Sequence, residues 1–382
     1  MRPSLWLTFA CILALPDLYI WFVYLRKKKL WKNILFFLPL IFVIIVAVLR
    51  PFGIVSAVLT KILFCLLLLL SLPKIAFAIG SFISIIIGIW SKNGRRVGEC
   101  ISLGLAGVVF LLMLYACTFG RMRMVEKEQQ LTFSELPDAF DGYRIVQISD
   151  LHVGSYRDNS HFVKDLVQKI NALHPDVIVF TGDLVNMKAD EVEPFSDILS
   201  QLHAKDGVYS VLGNHDYGTY AHYKDPAGSA RETAQLIANE KSLGWQLLID
   251  EHRFVHRDSD SIAIIGVGDI GKPPFPPRGN LKKAINGLDD NTFEVLLSHD
   301  PSHWRMEVLQ KTGIELMLSG HTHAMQFKVG NFSPVKWMYD EWGGLYEENG
   351  QKLFVSLGLG GSMPFRLGAT PEINVLTLKK GK

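Results

Sequence analysis

The sequence predicts an all-α membrane bundle followed by an α/β layered domain, and three observations predict it. The first is a split of charge. Up to Gly120, twelve Lys and Arg face only two acids, Asp17 and Glu99, whereas the rest of the chain carries 27 bases and 35 acids. The second is that all 12 His lie after Gly120 and all four Cys before it. The third is a change of apolar period at the same point. Runs of about 20 residues, long enough to cross a bilayer as helices, give way to short runs alternating with amphipathic segments. This pattern excludes a uniform globular domain and a disordered chain. A disulfide-built fold is excluded because the polar part has no Cys. Nucleic-acid binding is disfavoured, since that part is net acidic and a phosphate backbone needs a basic face. No protein partner can be inferred.

Four apolar stretches fill residues 1–120, expected as a bundle of about four transmembrane helices. They are Leu5 to Leu25, interrupted by Pro16-Asp17; Ile34 to Leu49; Gly53 to Trp90, containing Lys61 and Pro73-Lys74; and Ile101 to Gly120. Four in succession, with no His and almost no acids, are not buried helices of a soluble protein. Gly53 to Trp90 fits one span or two, and basic loops decide, because Lys- and Arg-rich loops stay cytoplasmic. One span, bent at Pro73, puts Arg26 to Lys29 with Lys32 on the same side as Lys92, Arg95 and Arg96. Arg50 then lies opposite. A multi-pass protein of the cytoplasmic membrane is expected, with its carboxy-terminal domain outside the cytoplasm; Arg121 and Arg123 count against this orientation. Met1 to Ala14 imitates a signal peptide, but further spans follow without a convincing cleavage site. Arg95-Arg96 fits a positive-inside anchor as well as a twin-arginine signal. Leu114 to Cys117 is a poor lipidation box because of Tyr115. Asp17 is an acid within a span and is given no catalytic role.

Residues 121–135 read as a charged linker, with Leu131-Thr132-Phe133 a possible edge strand, and residues 136–382 as one domain. Tyr143 to Ser149 is brief, apolar and β-branched, hence a buried strand. Asn159 to Leu173 has Phe162, Val163, Leu166, Ile170 and Leu173 at helical spacing. Strands at Asp176 to Thr181 and Val208 to Leu212 follow, with helices at Val192 to His203 and Ala227 to Leu243. Then strands dominate: Trp245 to Ile249, Arg253 to His256, Ile262 to Val267, Phe293 to Leu297, Glu315 to Leu318, Leu353 to Leu357 and Ile373 to Leu378, with one helix at Pro301 to Gln310. A domain of this length supports one large core.

Polar residues recur where these strands end: Asp150-Leu151-His152, Gly182-Asp183, Gly213-Asn214-His215-Asp216, Ser298-His299-Asp300 and Gly320-His321-Thr322-His323. In open α/β sheets, ligands bind beyond the carboxyl ends of strands. Asp150 and His152, two apart on extended backbone, would project to one side. His321 and His323 have the same relation, with Thr322 pointing away. The two oxygens of Asp183 could each take a different metal. Asn214 offers a neutral carbonyl and His299 another nitrogen. Mixed nitrogen and oxygen donors suit Mn, Fe or Zn better than Ca or Mg. Each fragment alone is ordinary; five of them ending apolar runs in one domain are not coincidence.

In this order the motifs resemble the calcineurin-like metallophosphoesterases, in particular their membrane-anchored or exported bacterial branch. The resemblance runs over residues 136–382. Phe140-Asp141-Gly142, Ser298-His299-Asp300-Pro301, Met363-Pro364-Phe365-Arg366 and Pro371-Glu372-Ile373 support it. It implies a four-layer sandwich of two mixed β-sheets flanked by helices, with two divalent metal ions at one end. Asp150, His152 and His323 would hold one ion, Asn214, His299 and His321 the other, and Asp183 would bridge them. His215 would face the substrate as proton donor or stabiliser of the transition state, oriented by Asp216. The resemblance further implies hydrolysis of a phosphoester or pyrophosphate by hydroxide generated at two metals. The anchor adds membrane lipids as partners and a lipid-linked phosphate as a substrate. Some relatives cleave UDP-2,3-diacylglucosamine in lipid A synthesis, but that nucleotide sugar is cytoplasmic, against the expected orientation.

One departure stands out. The branch commonly has Gly-Gly-Gln after the H-x-H; here it is Ala324-Met325-Gln326. Arg366 is a candidate phosphate contact, the alternative being an exposed Arg in a glycine-rich loop. Trp337, Tyr339, Trp342 and Tyr346 could meet a bilayer or an acyl chain, against ordinary packing. A membrane sensor or transporter with a decayed metal-binding domain would have lost ligands, and all seven remain. A one-metal zinc peptidase using His321 and His323 leaves Asp183 and Asn214 unexplained and lacks H-E-x-x-H.

Overall fold

Short β-branched runs in the polar part adopt the period-two alternation that a twice-covered sheet requires. The computed structural model describes residues 14–49, 57–157, 159–273 and 276–381. The chain divides into two compact units, Met1–Gly120 with Met363–Leu367, and Arg121–Ser362 with Gly368–Lys382.

In the first unit α1 (Ala14–Leu25), α2 (Leu30–Leu49), α3 (Ala57–Ile87) and α4 (Lys92–Tyr115) follow in order. Among the described residues two helical stretches are long and apolar enough to cross a membrane, Lys61–Ile87 and Lys92–Gly120; Ala14–Leu25 and Leu30–Val46 are shorter apolar helices. The Gly53 to Trp90 stretch is one helix over Ala57–Ile87, with Pro73 inside it. The first expected span begins at Leu5, and its part before Ala14 lies outside the described residues, as do Arg50 and residues 51–56. Small residues join α3 to α4: a Cβ on Gly80 would strike the Ser102 hydroxyl, and one on Gly98 the Ser84 hydroxyl. The two serines donate back to Gly98 O and Gly80 O, each at 2.7 Å, so the close approach leaves no hydroxyl unpaired. Asp17 has a partner here too, Lys74 Nζ at 2.8 Å.

The second unit contains two six-stranded mixed sheets. In the first the order is β1 (Val125–Phe133), β12 (Glu372–Lys380), β2 (Arg144–Ile148), β3 (Val177–Phe180), β4 (Val208–Ser210), β5 (Gln246–Leu247). In the second it is β10 (Gly344–Glu348), β11 (Gln351–Val355), β9 (Leu316–Ser319), β8 (Phe293–Leu297), β7 (Asp260–Gly266), β6 (Glu251–Arg257). The strands that carry the motifs, β2, β3 and β4 in one sheet and β8 and β9 in the other, run parallel to one another within each sheet. Alternation sorts their side chains. Ile145, Val177 and Val179 pack between the sheets against Ile264, Val295 and Leu318. Val146, Ile148, Ile178 and Phe180 turn outward to Phe162, Val163, Leu166 and Ile170 of α5 (Ser160–Ala172). On the far side Ala263, Ile265 and Leu296 meet Trp304 and Val308. Helix, sheet, sheet and helix make the four layers.

Three of the expected segments take another form in the structure. The stretch read as a linker forms β1 over Val125–Phe133, registered in parallel on β12. Its buried residues are Leu131 and Phe133, and its charges guard an exposed edge. The helix expected over Val192 to His203 is α-helical only at α6 (Ser196–Leu199), because Asn171 ties down Gln201 O (2.8 Å) and the His203 N–H (3.3 Å). Pro301 to Gln310 yields a single wide turn at Trp304–Val308. The helix at Ala227 to Leu243 is present as α7 (Gly228–Ser242).

Candidate metal centre

Each motif lies at the carboxyl end of its strand, and the folded sheets bring those ends together. Asp150 and His152 follow β2, Asp183 follows β3, Asn214 follows β4, His299 follows β8, and His321 and His323 follow β9. The chain turns sharply there. Asp150, His152, Asp183, His321 and His323 all have positive φ, between 46° and 73°. For a residue with a Cβ this costs about 1 kcal/mol or more. The convergence of Asp150 with His152 therefore comes from left-handed turns, not from the extended pleat that their spacing suggested. Gly182, at φ 94°, could carry no side chain, since its Cβ would lie 2.6 Å from Gly213 N.

Two donor clusters share Asp183. In the first, one ligand atom each from Asp150, His152, Asp183 and His323 lie within 4.8 Å of one another. His152 Nε2 and His323 Nε2 are 3.3 Å apart, and His323 Nε2 is 3.2 Å from Asp150 Oδ1. In the second, His321 Nδ1 is 2.8 Å from Asn214 Oδ1 and 3.3 Å from His299 Nε2. His299 Nε2 is in turn 3.3 Å from Asp183 Oδ2. Separations near 3.3 Å match the edge of a coordination tetrahedron with bonds of about 2.1 Å. The donor set thus fits divalent cations in both clusters. Asp183 Oδ2 faces both, lying 3.6 Å from His152 Nε2 as well. Its Oδ1 instead accepts the His215 backbone N–H at 2.8 Å. One oxygen, not two, faces both clusters.

Carbonyls and hydroxyls orient the rings. His152 Nδ1 meets Val185 O at 3.1 Å, His299 Nδ1 meets Thr181 O at 2.7 Å, and His321 Nε2 meets Tyr339 Oη at 2.8 Å. Thr322 does point away, donating to Trp342 O. His215 donates from Nδ1 to Asn186 O at 2.6 Å. Asp216 does not orient that ring. Its carboxylate accepts the N–H groups of Asp183, Leu184, Val185 and Gly213 and so clamps the loop that carries Asp183. Tyr220 is a site residue with no sequence signal. Its Oη accepts from Asn214 Nδ2 at 2.7 Å, turning Asn214 Oδ1 inward, and its ring stacks on His215 at 4.1 Å. Arg366 is buried and groups with the helical unit, where its backbone N–H donates to Ala116 O.

The electrostatics suit cations. Burial pushes the Asp150 carboxyl up to about 6, and pulls His152 down to about 3 and His321 to about 4. Neutral imidazoles are ready ligands. Burial also opposes the charge on Asp183, but His299, His215 and His152 outweigh it and hold that carboxyl well below its usual range. His299, buried beside Asp183, Asp150 and Asp269, is raised well above an ordinary imidazole. A proton on His299 thus stands where a cation's charge would be.

Comparison with known proteins agrees with this geometry. The family described as calcineurin-like phosphoesterase matches residues 143–325. The metallophosphoesterase YkuE of Bacillus subtilis (strain 168) is 32% identical over 267 residues, 66% of this chain and 84% of that protein. UDP-2,3-diacylglucosamine pyrophosphatase LpxG of Chlamydia trachomatis is 29% identical over 280 residues, 61% of this chain and 82% of that protein. A transmembrane protein with metallophosphoesterase domain from Danio rerio is 27% identical over 308 residues, 76% of this chain and 67% of that protein. The fold, the gathered donors and these relatives place the chain in the calcineurin-like phosphoesterase family, as a metal-dependent phosphoesterase.

Proposed function

We propose a membrane-anchored hydrolase of phosphoester or pyrophosphate bonds that uses two divalent cations. The observation that carries this reading is Asp183 Oδ2, which faces both donor clusters at once. Asp150, His152 and His323 would hold one ion, Asn214, His299 and His321 the other. Such ions acidify water and offset phosphoryl charge. The chain's own residues do the rest. Tyr220 and Asn186 O fix His215 so that Nε2 can donate a proton, or a hydrogen bond, to the leaving oxygen. Asp216 keeps Asp183 in its left-handed turn. A second reading, cleavage of the pyrophosphate of a nucleotide-linked lipid, is favoured by the likeness to LpxG. The charge rule for basic loops favours an orientation with the domain outside the cytoplasm, where such a nucleotide is not made.

The test is hydrolysis of a chromogenic phosphodiester by detergent-purified protein, chelated and then given Mn, Fe or Zn. His215→Ala is expected to lower kcat by about 10²–10⁴, and Asp183→Ala to abolish turnover together with binding of both ions. Repeating the assay on intact cells with an impermeant ester reports the side on which the domain lies. Folded protein that binds no ion sinks the reading. UMP release from a UDP-linked lipid, with an inert diester, selects the second reading.

A further inference from the structure

We infer that the exposed apolar surface of Met325–Met338 seats the hydrocarbon part of an amphiphilic phosphate substrate while its phosphate lies at the metal centre; this rests on the phosphoesterase reading above. The segment is anchored to the site at both ends. It starts two residues after His323 and stops one before Tyr339, whose hydroxyl meets His321 at 2.8 Å. It also has a packed interior of its own, with Val335 buried against Ala324, Tyr339, Leu357 and Ala369. Yet its larger apolar side chains face solvent: Met325, Val329, Phe332, Trp337 and Met338 are all exposed, Trp337 by 75%. Residues that only filled space would be turned inward.

Met325 is the most telling of them. Residues 323–326 run through four consecutive left-handed conformations, with φ from 48° to 59°, a path that glycine would follow without strain. At position 325 the chain carries a methionine, 49% exposed, so burial does not offset the strain. An adaptable apolar side chain at that point gains its contacts from something outside the chain. Charge indicates what that is. No acid occurs from Ala324 to Met338, while Lys336 lies over the Phe332 ring, Lys328 over Trp342 and Lys272 over Tyr339. Apolar side chains edged with lysines beside a metal centre complement an alkyl chain joined to a phosphate.

The experiment uses the full chain in detergent, loaded with Mn, and a series of nitrophenyl alkyl phosphodiesters from methyl to hexyl. The readout is the ratio of kcat/KM for the hexyl ester to that for the methyl ester, so partitioning into detergent acts equally on every enzyme. For the wild type, kcat/KM is expected to rise about twofold per methylene, roughly half the gain of full burial. Met325→Gly, which relieves backbone strain and so folds, and Trp337→Ser should each flatten that rise severalfold. Phe254→Ser, at an exposed apolar position on β6, should leave the ratio at the wild-type value. Equal ratios in all four enzymes overturn the inference alone. No metal-dependent turnover of the methyl ester overturns the phosphoesterase reading and the inference with it.

Discussion

Glu240 is fully buried on α7, and its Oε2 accepts the Ser210 hydroxyl at 2.6 Å. Burial, reinforced by the charge of Asp216, raises its carboxyl well above the ordinary value of 4.5. The folded protein therefore binds a proton that the unfolded chain releases above 4.5, and stability falls as pH rises from there through the folded value. Glu240→Gln keeps an acceptor for Ser210 and removes the penalty. Melting of chelated wild type and variant at pH 5 and pH 8 should show the variant gaining on the wild type at the higher pH. An equal difference at both values would show that Glu240 stays ionised. At this scale the sequence was informative about which atoms take part and poor about how they point. Asp150, His152, Asp183, Asn214, His299, His321 and His323 all converge. The role of Asp216 as a clamp on four N–H groups and the part of Tyr220 depend on loop paths that no local pattern encodes.

Elements are set by patterns of different reach. Strand alternation is local, so β2, β3 and β8 fall where their apolar runs do. The hairpin of β10 and β11 also carries a local signal: Asn349-Gly350, both left-handed at φ 52° and 82°, is the two-residue turn such hairpins favour. By contrast β1 pairs with β12, more than 240 residues away in sequence, and its charged edge imitates a linker. The α3–α4 seam is also non-local but has a recognisable spacing, Gly80 with Ser84 and Gly98 with Ser102. Gly98→Ile should force the helices apart and lower the melting temperature of the detergent-solubilised protein, with overpacking costing about 1–3 kcal/mol. Gly104→Ile on the same helix is the control, since nothing lies within 4 Å of a Cβ there. Equal melting of the two variants would show that the seam does not depend on close approach.

Across the catalytic unit the two clusters have a structural meaning beyond chemistry, because each draws donors from both sheets. Asp150, His152, Asp183 and Asn214 come from the sheet of β2, β3 and β4; His299, His321 and His323 come from that of β8 and β9. A bound cation would therefore tie one sheet to the other at the end of the sandwich. Without a cation the ligand oxygens of Asp150 and Asp183 lie within 4.8 Å of one another, a repulsion that a bound ion would offset. Stability should then follow the cation by mass action: about 2.7 kcal/mol for each ion present at a hundred times its dissociation constant. For a domain of this size that is roughly 5–10 °C per ion. Chelation should lower the melting temperature by that order, and Mn or Zn should restore it in two steps. His323→Ala, lacking a donor to one cluster, should keep a single step; Asp183→Ala, lacking the shared oxygen, should keep none. A wild-type melting temperature indifferent to chelation and metal would mean that the sheets close without ions, and the clusters would then have to be read as hydrogen-bonded polar ends.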